Sequence, residues 1–326
     1  MRALLCTGFG SPPTLEYGDL DERPLEPGEI RVAVQAIGIG YFDAVLLSGN
    51  YQEKPSLPFS PGRELAGRVV EVAPDVDPAL VGRTIATIAY GGAACERAIT
   101  KEAHCLYVPD NVDAVEAACI PTSYATALYA LADRGRMKPG ERVLILGAAG
   151  TVGTATIDVA RALGGVPIAL ADNKEKLDHC LTLGAKYAID SSDLHWRKAL
   201  EASVGKVDLV MDMVGGALSE TAFRCLAPGG RLLVVGFASG EVGRLPLNLC
   251  LLKRSSAVGV DLGGFMQQEP DASRALLDRL AALLASGALK PKPTSIYTLD
   301  ALSGVIEHLL QGRNIGKPVI KVDSWG

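Results

Sequence analysis

The sequence predicts an α/β protein with a doubly wound parallel sheet in the middle of the chain and a β-rich domain around it. Three observations carry this prediction. Strand-like and helix-like runs alternate from Thr122 to Leu262 with short connections, the first 121 residues are rich in Gly and Pro, and Lys317–Val322 has strand character. A strict alternation of strands and helices is typical of a parallel sheet covered on both faces.

The sheet strands are predicted from short apolar runs and the helices from amphipathic runs between them. The predicted strands are 142–147, 166–171, 187–190, 207–212, 231–236 and 256–261. The predicted helices are 152–164, 174–183, 193–203 and 216–226.

The outer domain is predicted from short β-type runs and from the C-terminal segment. The runs are Glu29–Ala36, Ala66–Val72 and Arg83–Ile88, and Asp271–Ala285 has the leucine spacing of a helix. The terminal run is expected to pair with strands of the first domain. The predicted domains are 1–121 with 263–326 for the β-rich domain and 122–262 for the sheet domain.

Composition excludes several function classes. The chain has 326 residues, is 48% apolar and carries a formal net charge of −5. An acidic chain without basic runs predicts no nucleic-acid partner. No apolar run reaches the roughly 18 residues of a membrane span, so no membrane partner is expected. Seven scattered cysteines without paired spacing are typical of a reducing compartment, and we expect a soluble, cytoplasmic protein.

The most informative segment runs from Arg142 to Gly153. An apolar run ends in a turn of small residues, Ala148 to Gly153, which opens directly into an amphipathic helix. Small residues let the backbone approach a pyrophosphate, and the free N–H groups of the first helical turn bind its charge. Asp172 follows the next apolar run at about the spacing expected for a ribose ligand. The segment therefore predicts a dinucleotide site that includes Ala149, Gly150, Thr151, Val152 and Gly153.

With these residues in view, the chain resembles the medium-chain dehydrogenase/reductase superfamily, and within it the zinc-free quinone oxidoreductase (zeta-crystallin-like) branch. The resemblance extends in order over essentially the whole chain. Its motifs are Gly38-Ile39-Gly40-Tyr41-Phe42-Asp43, Ser48-Gly49-Asn50-Tyr51, Leu57-Pro58-Phe59-Ser60-Pro61-Gly62-Arg63-Glu64, Lys138-Pro139-Gly140-Glu141, the Ala148–Gly153 turn and Ile315-Gly316-Lys317-Pro318-Val319. It implies a GroES-like catalytic domain formed by both chain ends beside a Rossmann domain.

The resemblance also raises the question of a metal. Metal-dependent members carry a Cys and a His where this chain has Gly40 and Arg63. Neither glycine nor a guanidinium ligates zinc. The region 83–115 holds only Cys95 and Cys105, too few for a four-cysteine zinc lobe. We therefore expect no metal.

The absence of those ligands favours one kind of chemistry. Hydride transfer to a simple ketone benefits from a Lewis acid on the oxygen. A quinone or an α,β-unsaturated carbonyl spreads the incoming charge over a conjugated system, so hydrogen-bond donors are sufficient to stabilise it. The prediction is an NAD(P)H-dependent oxidoreductase that transfers hydride to a small quinone or enone.

For the catalytic side the resemblance indicates Tyr41, Tyr51, Arg63 and Thr126. Tyr51 matches a tyrosine that lines the substrate pocket, and Tyr41 shapes its inner wall or belongs to the ordinary core. Tyr90 and the loop Gly263–Pro270 are expected to affect pocket size. Arg63 either contacts a substrate oxygen or, as we favour, forms a salt bridge with Glu64 or Asp43.

For the nicotinamide side the resemblance indicates a hydroxyl and two loops. Thr126 is placed close to the nicotinamide, although a hydroxyl bonded back to its own helix is equally consistent. Gly236, Phe237 and Ala238 follow a sheet strand and are expected near the nicotinamide ribose. Asn314 lies in the segment before Gly316-Lys317, which approaches the nicotinamide in relatives, so the resemblance indicates Asn314 as a cofactor contact. For Lys317 a pairing with a surface carboxylate is the plainer alternative.

The choice of cofactor rests on two residues of opposite charge. A carboxylate near the end of the second strand favours NADH, because it holds the ribose diol and repels a 2′-phosphate. Asp172 lies one position beyond the usual place of that carboxylate, and Lys176 matches a lysine that meets the phosphate in NADPH-using relatives. We predict NADPH, with NADH possible.

Two expectations concern assembly and alternative functions. The apolar run Ala257–Leu262 would be an exposed sheet edge unless a second subunit paired with it, so we expect a homodimer. A non-catalytic, crystallin-like cofactor-binding protein remains an alternative, because Gly40 and Val45 replace polar residues common in the branch. An alcohol dehydrogenase is disfavoured by the missing ligands.

Overall fold

The computed structural model describes residues 1–51, 54–89 and 92–322. Tyr90 therefore lies outside the described residues. The strands are β1 (Arg2–Gly8), β2 (Thr14–Asp19), β3 (Glu29–Gly38), β4 (Glu64–Val72), β5 (Thr84–Ile88), β6 (Arg97–Lys101), β7 (Leu106–Tyr107), β8 (Arg142–Leu146), β9 (Val166–Ala171), β10 (Tyr187–Asp190), β11 (Val207–Asp212), β12 (Leu226–Val234), β13 (Ser256–Gly259), β14 (Ser295–Tyr297) and β15 (Pro318–Lys321).

The α-helices lie mostly between strands of the central segment and near the C-terminus. They are α1 (Tyr41–Leu47), α2 (Ala114–Ala117), α3 (Ala125–Leu128), α4 (Thr151–Ala162), α5 (Lys174–Thr182), α6 (Trp196–Ser203), α7 (Gly216–Phe223), α8 (Asn248–Lys253), α9 (Leu262–Gln268), α10 (Pro270–Ala285) and α11 (Leu302–Leu310). Two π-helical turns, Ile120–Tyr124 and Tyr129–Arg134, flank α3. Within the described ranges, no helix has the length and apolar character needed to cross a membrane.

The chain forms two compact units. One comprises Met1–Thr122 with Gln268–Gly326, and the other comprises Ser123–Gln267. The second unit contains a six-stranded parallel sheet in the order β10-β9-β8-β11-β12-β13. This is the strand order of a dinucleotide-binding Rossmann sheet. The predicted doubly wound fold is thus confirmed.

The first unit is β-rich, as predicted. Its main sheet has the order β14-β15-β3-β4-β5-β7, with β6 also paired to β3. The terminal strand β15 runs antiparallel to β3, so Ile320 lies opposite Ile37. This pairing confirms that the C-terminal run returns to the N-terminal domain. The core of this unit combines Ile30, Leu65, Ile85 and other N-terminal side chains with residues of α11 and β15.

The segment after β12 differs from the prediction in two places. The strand predicted over 256–261 ends at Gly259, and the segment predicted as a loop from Gly263 to Pro270 is largely helical, since α9 begins at Leu262. Asp261 explains the change, because its side chain accepts a 3.0 Å hydrogen bond from the Gly264 N–H and caps the helix. Phe265 then stacks on Tyr129 at 4.3 Å between ring centroids, which holds the helix in the unit.

The strand predicted over 231–236 begins earlier and ends earlier, as β12. Its pairing with β11 is interrupted where Val207 opposes Leu226 and Leu209 opposes Arg231. Gly229 lies in this interruption with φ of +81°, a conformation that glycine adopts without a Cβ penalty. Pro228-Gly229-Gly230 therefore lies inside the strand, at this interruption, rather than before it.

Candidate active site

The small-residue turn after β8 has the shape of a dinucleotide site. Gly153 is the position that needs glycine most, because a Cβ there would lie 2.4 Å from the Gly147 carbonyl oxygen and 2.5 Å from that of Ala148. Gly150 is the N-cap of α4 and supplies no side chain to the helix end. The first intrahelical bond is donated by Thr154 to Gly150.

The N-terminus of α4 therefore keeps amide groups for a ligand. Among the hydrogen bonds of residues 1–51, 54–89 and 92–322, none uses the N–H groups of Thr151, Val152 or Gly153. Ala149 is buried beneath the turn and Gly150 is half-buried at its surface. Three such amides at the positive end of a twelve-residue helix can bind an anion such as a pyrophosphate.

Asp172 and Lys176 lie together at the carboxyl end of β9, the strand next to β8. Lys176 Nζ is 2.8 Å from Asp172 Oδ1 and 3.1 Å from Oδ2. Asn173 caps α5 by accepting the Lys176 N–H at 3.0 Å, and its amide also donates to Asp172 at 3.0 Å. Asp172, which favours NADH, and Lys176, which favours NADPH, thus form one ion pair.

The loop after β12 is joined to the loop after β11. The Gly236 N–H donates to the Asp212 carbonyl, and the Ala238 N–H donates to the Met213 carbonyl at 3.0 Å. Phe237 is 42% exposed, and its ring lies 2.8 Å from where a Cβ on Gly215 would stand. The predicted residues Gly236, Phe237 and Ala238 therefore sit at the carboxyl edge of the sheet, where such folds bind ligands.

Asp212 organises this edge and is absent from the sequence-based predictions. Its buried carboxylate accepts from the Val214 N–H at 3.0 Å, the Gly215 N–H at 2.9 Å and the Ser219 hydroxyl at 2.6 Å. An acidic residue at a strand end followed by Gly215-Gly216 is the sequence signal that could have indicated it. Gly215 and Gly216 both have positive φ, so the turn depends on them.

Thr126 is buried in α3, between the two π-helical turns. Threonines of α4 bond back to their own helix, as Thr156 does to Val152 at 2.7 Å. No such bond is made by the Thr126 hydroxyl within the part of the chain that the structure describes. Its hydroxyl therefore keeps its capacity to bond a ligand.

An aromatic cluster forms the candidate substrate wall in the first unit. Phe42 and Tyr51 meet edge to face with ring centroids 4.7 Å apart. The Arg63 guanidinium lies over the Phe42 ring at 4.3 Å, a cation–π distance. Tyr41, the first residue of α1, is half-buried and Tyr51 is 36% exposed. The structure thus brings Tyr51, Phe42 and Arg63 together.

The expected salt bridge of Arg63 with Glu64 or Asp43 is not formed. Across the described residues no carboxylate lies within ion-pair distance of its guanidinium. Glu64 is unavailable because it pairs with Lys317, and both side chains are almost fully buried. Lys317 thus pairs with a buried carboxylate rather than with one at the surface. Arg63 instead places its charge against the aromatic rings.

A buried polar cluster adjoins Gly40, one of the two sequence positions that carry zinc ligands in metal-dependent members of the family that the chain resembles. Lys317 bonds Glu64 Oε1, Glu64 Oε2 accepts the Thr122 N–H at 3.0 Å, and Asp43 accepts the Gly40 N–H at 2.8 Å. Burial raises the pKa of Asp43 to about 6, against the attraction of Lys317. A Cβ on Gly40 would lie 3.6 Å from Lys317 Nζ.

These residues do not fit a zinc ion. Gly40 and Arg63 offer no atom that can ligate zinc, and the Lys317 ammonium beside Gly40 would repel a cation there. Within the described ranges no group of three or more His, Cys, Asp or Glu side chains could hold a metal.

Asn314 stabilises the turn before β15. Its amide donates to the Gly316 carbonyl at 2.6 Å, and Gly316 has φ of +63°. A Cβ at Gly316 would lie 2.2 Å from Thr294 Cγ2. Asn314 is half-buried, so part of its side chain remains open to solvent beside this turn.

Comparisons with known proteins agree with this architecture. An alcohol dehydrogenase GroES-like domain model matches residues 26–111, and a zinc-binding dehydrogenase model matches residues 151–282. A quinone oxidoreductase-like protein 2 from Bos taurus is 37% identical over 330 residues, covering 98% of this chain and 92% of the relative.

Solved structures show the same similarity. A quinone oxidoreductase from Pseudomonas syringae pv. Tomato DC3000 is 30% identical with a TM-score of 0.87, covering 98% of this chain and 99% of that one. The quinone oxidoreductase from Thermus thermophilus, solved also as its NADPH complex, is 30% identical with a TM-score of 0.82, covering 99% and 100%. This chain is an oxidoreductase that belongs to the medium-chain dehydrogenase/reductase superfamily, in its zinc-free quinone oxidoreductase branch.

Proposed function

We propose that this chain is an NAD(P)H-dependent reductase of quinones and α,β-unsaturated carbonyls that works without a metal. The observation that carries the proposal is Arg63, whose guanidinium stacks on Phe42 where metal-dependent relatives place a zinc-ligating histidine. It has no carboxylate partner among the described residues, so it can supply positive charge to an acceptor oxygen. The Ala148–Gly153 turn supplies a dinucleotide site.

The unit Ser123–Gln267 would hold the cofactor through residues of its sheet edge. The amides of Thr151, Val152 and Gly153 bind the pyrophosphate, and Asp172 with Lys176 meets the adenosine ribose. The Thr126 hydroxyl and the backbone of Gly236–Ala238 remain for the nicotinamide half. The NADPH complex of the Thermus thermophilus relative supports NADPH as the cofactor. Acceptance of NADH is part of the proposal because Asp172 offers a carboxylate to the ribose hydroxyls.

When bound, a reduced nicotinamide would supply a hydride to a carbon of the conjugated acceptor. In an enone the electron pair of the C=C bond moves towards the carbonyl oxygen, and a proton from water then adds at the α carbon to give the saturated ketone. In a quinone the enolate oxygen takes a proton from water, and the sp3 ring carbon then loses its original proton while the second carbonyl oxygen gains one, which gives the hydroquinone. Arg63 donates hydrogen bonds to that oxygen and offsets its charge. Phe42 fixes the plane of the guanidinium, and Tyr51 offers a ring face to a planar acceptor.

We further propose that the protein is a homodimer in the cytosol. The edge strand β13 is largely exposed and α8, just before it, exposes Leu251 and Leu252 by 78% and 73%. A free strand edge beside exposed leucines is stabilised when a second copy covers it. All seven cysteines remain thiols, which suits a reducing compartment.

The test is turnover by protein dialysed against a chelator, with NADPH or NADH and either 1,4-benzoquinone or 1-octen-3-one. We expect oxidation of the cofactor without added metal. Arg63→Met should lower kcat about a hundredfold, as loss of an oxyanion donor does, whereas Arg63→Lys should retain part of the rate. Arg68→Met, an exposed arginine on the following strand, is the matched control.

Two outcomes would contradict the proposal. Cofactor binding without turnover of any acceptor would favour the non-catalytic alternative. Turnover that depends on added zinc would show that a metal is required despite Gly40 and Arg63.

A further inference from the structure

The geometry at the end of β9 points to one ion pair, Asp172 with Lys176, that sets the choice between NADH and NADPH. Lys176 contacts both carboxylate oxygens of Asp172, at 2.8 and 3.1 Å. The lysine side chain is only 14% exposed, whereas that of Asp172 is 60% exposed. The Lys176 ammonium, which would bind a 2′-phosphate, is therefore already paired with Asp172. The Asp172 carboxylate is the more exposed of the two groups.

Asn173 holds this arrangement in place. Its side-chain oxygen accepts the Lys176 N–H and its nitrogen donates to Asp172 Oδ1, each at 3.0 Å. Because Asn173 caps α5, the ion pair is tied to the first turn of a helix that follows β9 directly. Asn173 thus bonds the Asp172 carboxylate and the Lys176 backbone N–H, whereas the Lys176 ammonium contacts the Asp172 carboxylate through a flexible side chain.

We propose that Asp172 and Lys176 act as one unit: NADH leaves their ion pair intact, whereas NADPH must take Lys176 away from Asp172. The proposal rests on the proposed function, since it needs a cofactor at the Ala148–Gly153 turn. With NADH, the remaining lone pairs of Asp172 accept the hydroxyls of the ribose. With NADPH, Lys176 turns to the 2′-phosphate and Asp172 is left beside a second anion.

The consequence is that the native chain discriminates only weakly between NADH and NADPH. Lys176 favours the phosphate and Asp172 opposes it, so each masks the effect of the other. Removing the Asp172 carboxylate removes its pairing with Lys176 and its repulsion of a 2′-phosphate, which should shift the cofactor ratio strongly towards NADPH. Removing Lys176 leaves the carboxylate alone and should shift the ratio towards NADH.

The experiment is a double-mutant cycle read by direct binding. Asp172→Asn, Lys176→Met and the double variant of the full chain are titrated with NADPH and NADH by cofactor fluorescence at fixed salt. We expect Asp172→Asn to tighten NADPH about five- to tenfold, the size of a surface charge interaction plus a relieved repulsion, and to weaken NADH. Lys176→Met should weaken NADPH by at least as much.

The chain offers a matched control on the same helix. Lys174 and Asp178 form a second ion pair at the same spacing, with side chains 87% and 56% exposed. Lys174→Met and Asp178→Asn change the net charge equally but should leave the NADPH to NADH ratio unchanged.

The outcomes separate this proposal from the proposed function. If Asp172→Asn changes both affinities by the same factor, or if the control variants shift the ratio as much, the ion pair does not select the cofactor and only this inference fails. If the native chain binds neither cofactor, the proposed function fails and this inference with it. Non-additive effects of Asp172→Asn and Lys176→Met on the ratio of NADPH to NADH affinity support the proposal that the two residues act as one unit.

Discussion

Lys317 and Glu64 form an ion pair in the interior of the first unit, with side chains 4% and 3% exposed. The two residues lie 253 positions apart, so the pair joins the start of β4 to the segment just before β15. Glu64 also accepts the Thr122 N–H. Both carboxylate oxygens of Glu64 therefore have a hydrogen-bond partner. Removing either charge of the pair would leave the other charge buried without its counter-charge.

We predict that Lys317→Met destabilises the chain strongly, by about 3–5 kcal/mol, because it leaves the Glu64 charge buried without its partner. The measurement is the urea midpoint followed by circular dichroism. The double variant Lys317→Met with Glu64→Gln should recover much of that loss, since it removes both charges. A double variant no more stable than the single one would show that packing, not charge, is lost.

Asp43 makes stability depend on pH. Its pKa is raised by burial to about 6 from an ordinary value of 3.8, even though the Gly40 N–H and Lys317 favour the charged form. Between these two values the folded chain keeps a proton that the unfolded chain has released. Stability therefore falls as pH rises through this window, by at most about 1.4 kcal/mol per pH unit.

Asp43→Asn, which cannot titrate, should remove that fall. The difference in unfolding free energy between native chain and variant is expected to decline across the window between those two pKa values and to stay constant above it. Urea titrations at closely spaced pH values measure it. A constant difference across the window would mean that Asp43 is ionised throughout.

Gly153 should be the least tolerant position of the dinucleotide turn. A Cβ there meets the carbonyl oxygens of Gly147 and Ala148 at 2.4 and 2.5 Å, and both belong to backbone that cannot rotate away. Gly153→Ala is expected to weaken NADPH binding by roughly tenfold or more, because the amides of α4 must move from the pyrophosphate. Gly304→Ala is the control, since a Cβ in α11 at this position meets nothing within 4 Å.

Calorimetric titration with NADPH measures both variants. Gly304→Ala should bind as the native chain does and be slightly more stable, as alanine is favoured over glycine inside a helix. Equal affinities for the native chain and Gly153→Ala would show that the cofactor does not rest on this turn.

Sequence periodicity predicted the sheet unit well because its central strands are fully buried. A run such as Val143–Leu146 has no polar position, and the helices that follow such runs begin at turns of small or capping residues. Asp261 shows where this fails. The apolar run through Leu262 continues to read as a strand, but one aspartate side chain bonded to the Gly264 N–H turns it into a helix.

The sequence predicted those parts of the candidate site whose residues lie close together along the chain. The Ala148–Gly153 turn and Asp172 with Lys176 are close in sequence, so their proximity followed from the helix and strand positions. The pairing of Glu64 with Lys317 depends on the register of β15 against β3, which no local pattern encodes. The salt bridge expected between Arg63 and Glu64 failed for the same reason, because Glu64 pairs with Lys317 near the other end of the chain.

The exposed leucines of α8 yield the last prediction. Leu251 and Leu252 are 78% and 73% exposed beside the edge strand β13, and Leu247 is 80% exposed on the same segment. If a second copy covers this surface, each substitution acts twice in a two-fold interface. Leu251→Asp with Leu252→Asp should weaken the dimer by about 30-fold or more, the effect of losing a hot spot.

Sedimentation velocity over a range of concentrations measures this change, and the control is Leu194→Asp, an isolated leucine that is 95% exposed. The native chain and the control should sediment as dimers at concentrations where the double variant is a monomer. Because the proposed cofactor site lies on the other strands of the sheet, NADPH affinity of the monomer should match that of the dimer. A native chain that sediments as a monomer at every concentration would mean that no second copy covers these leucines.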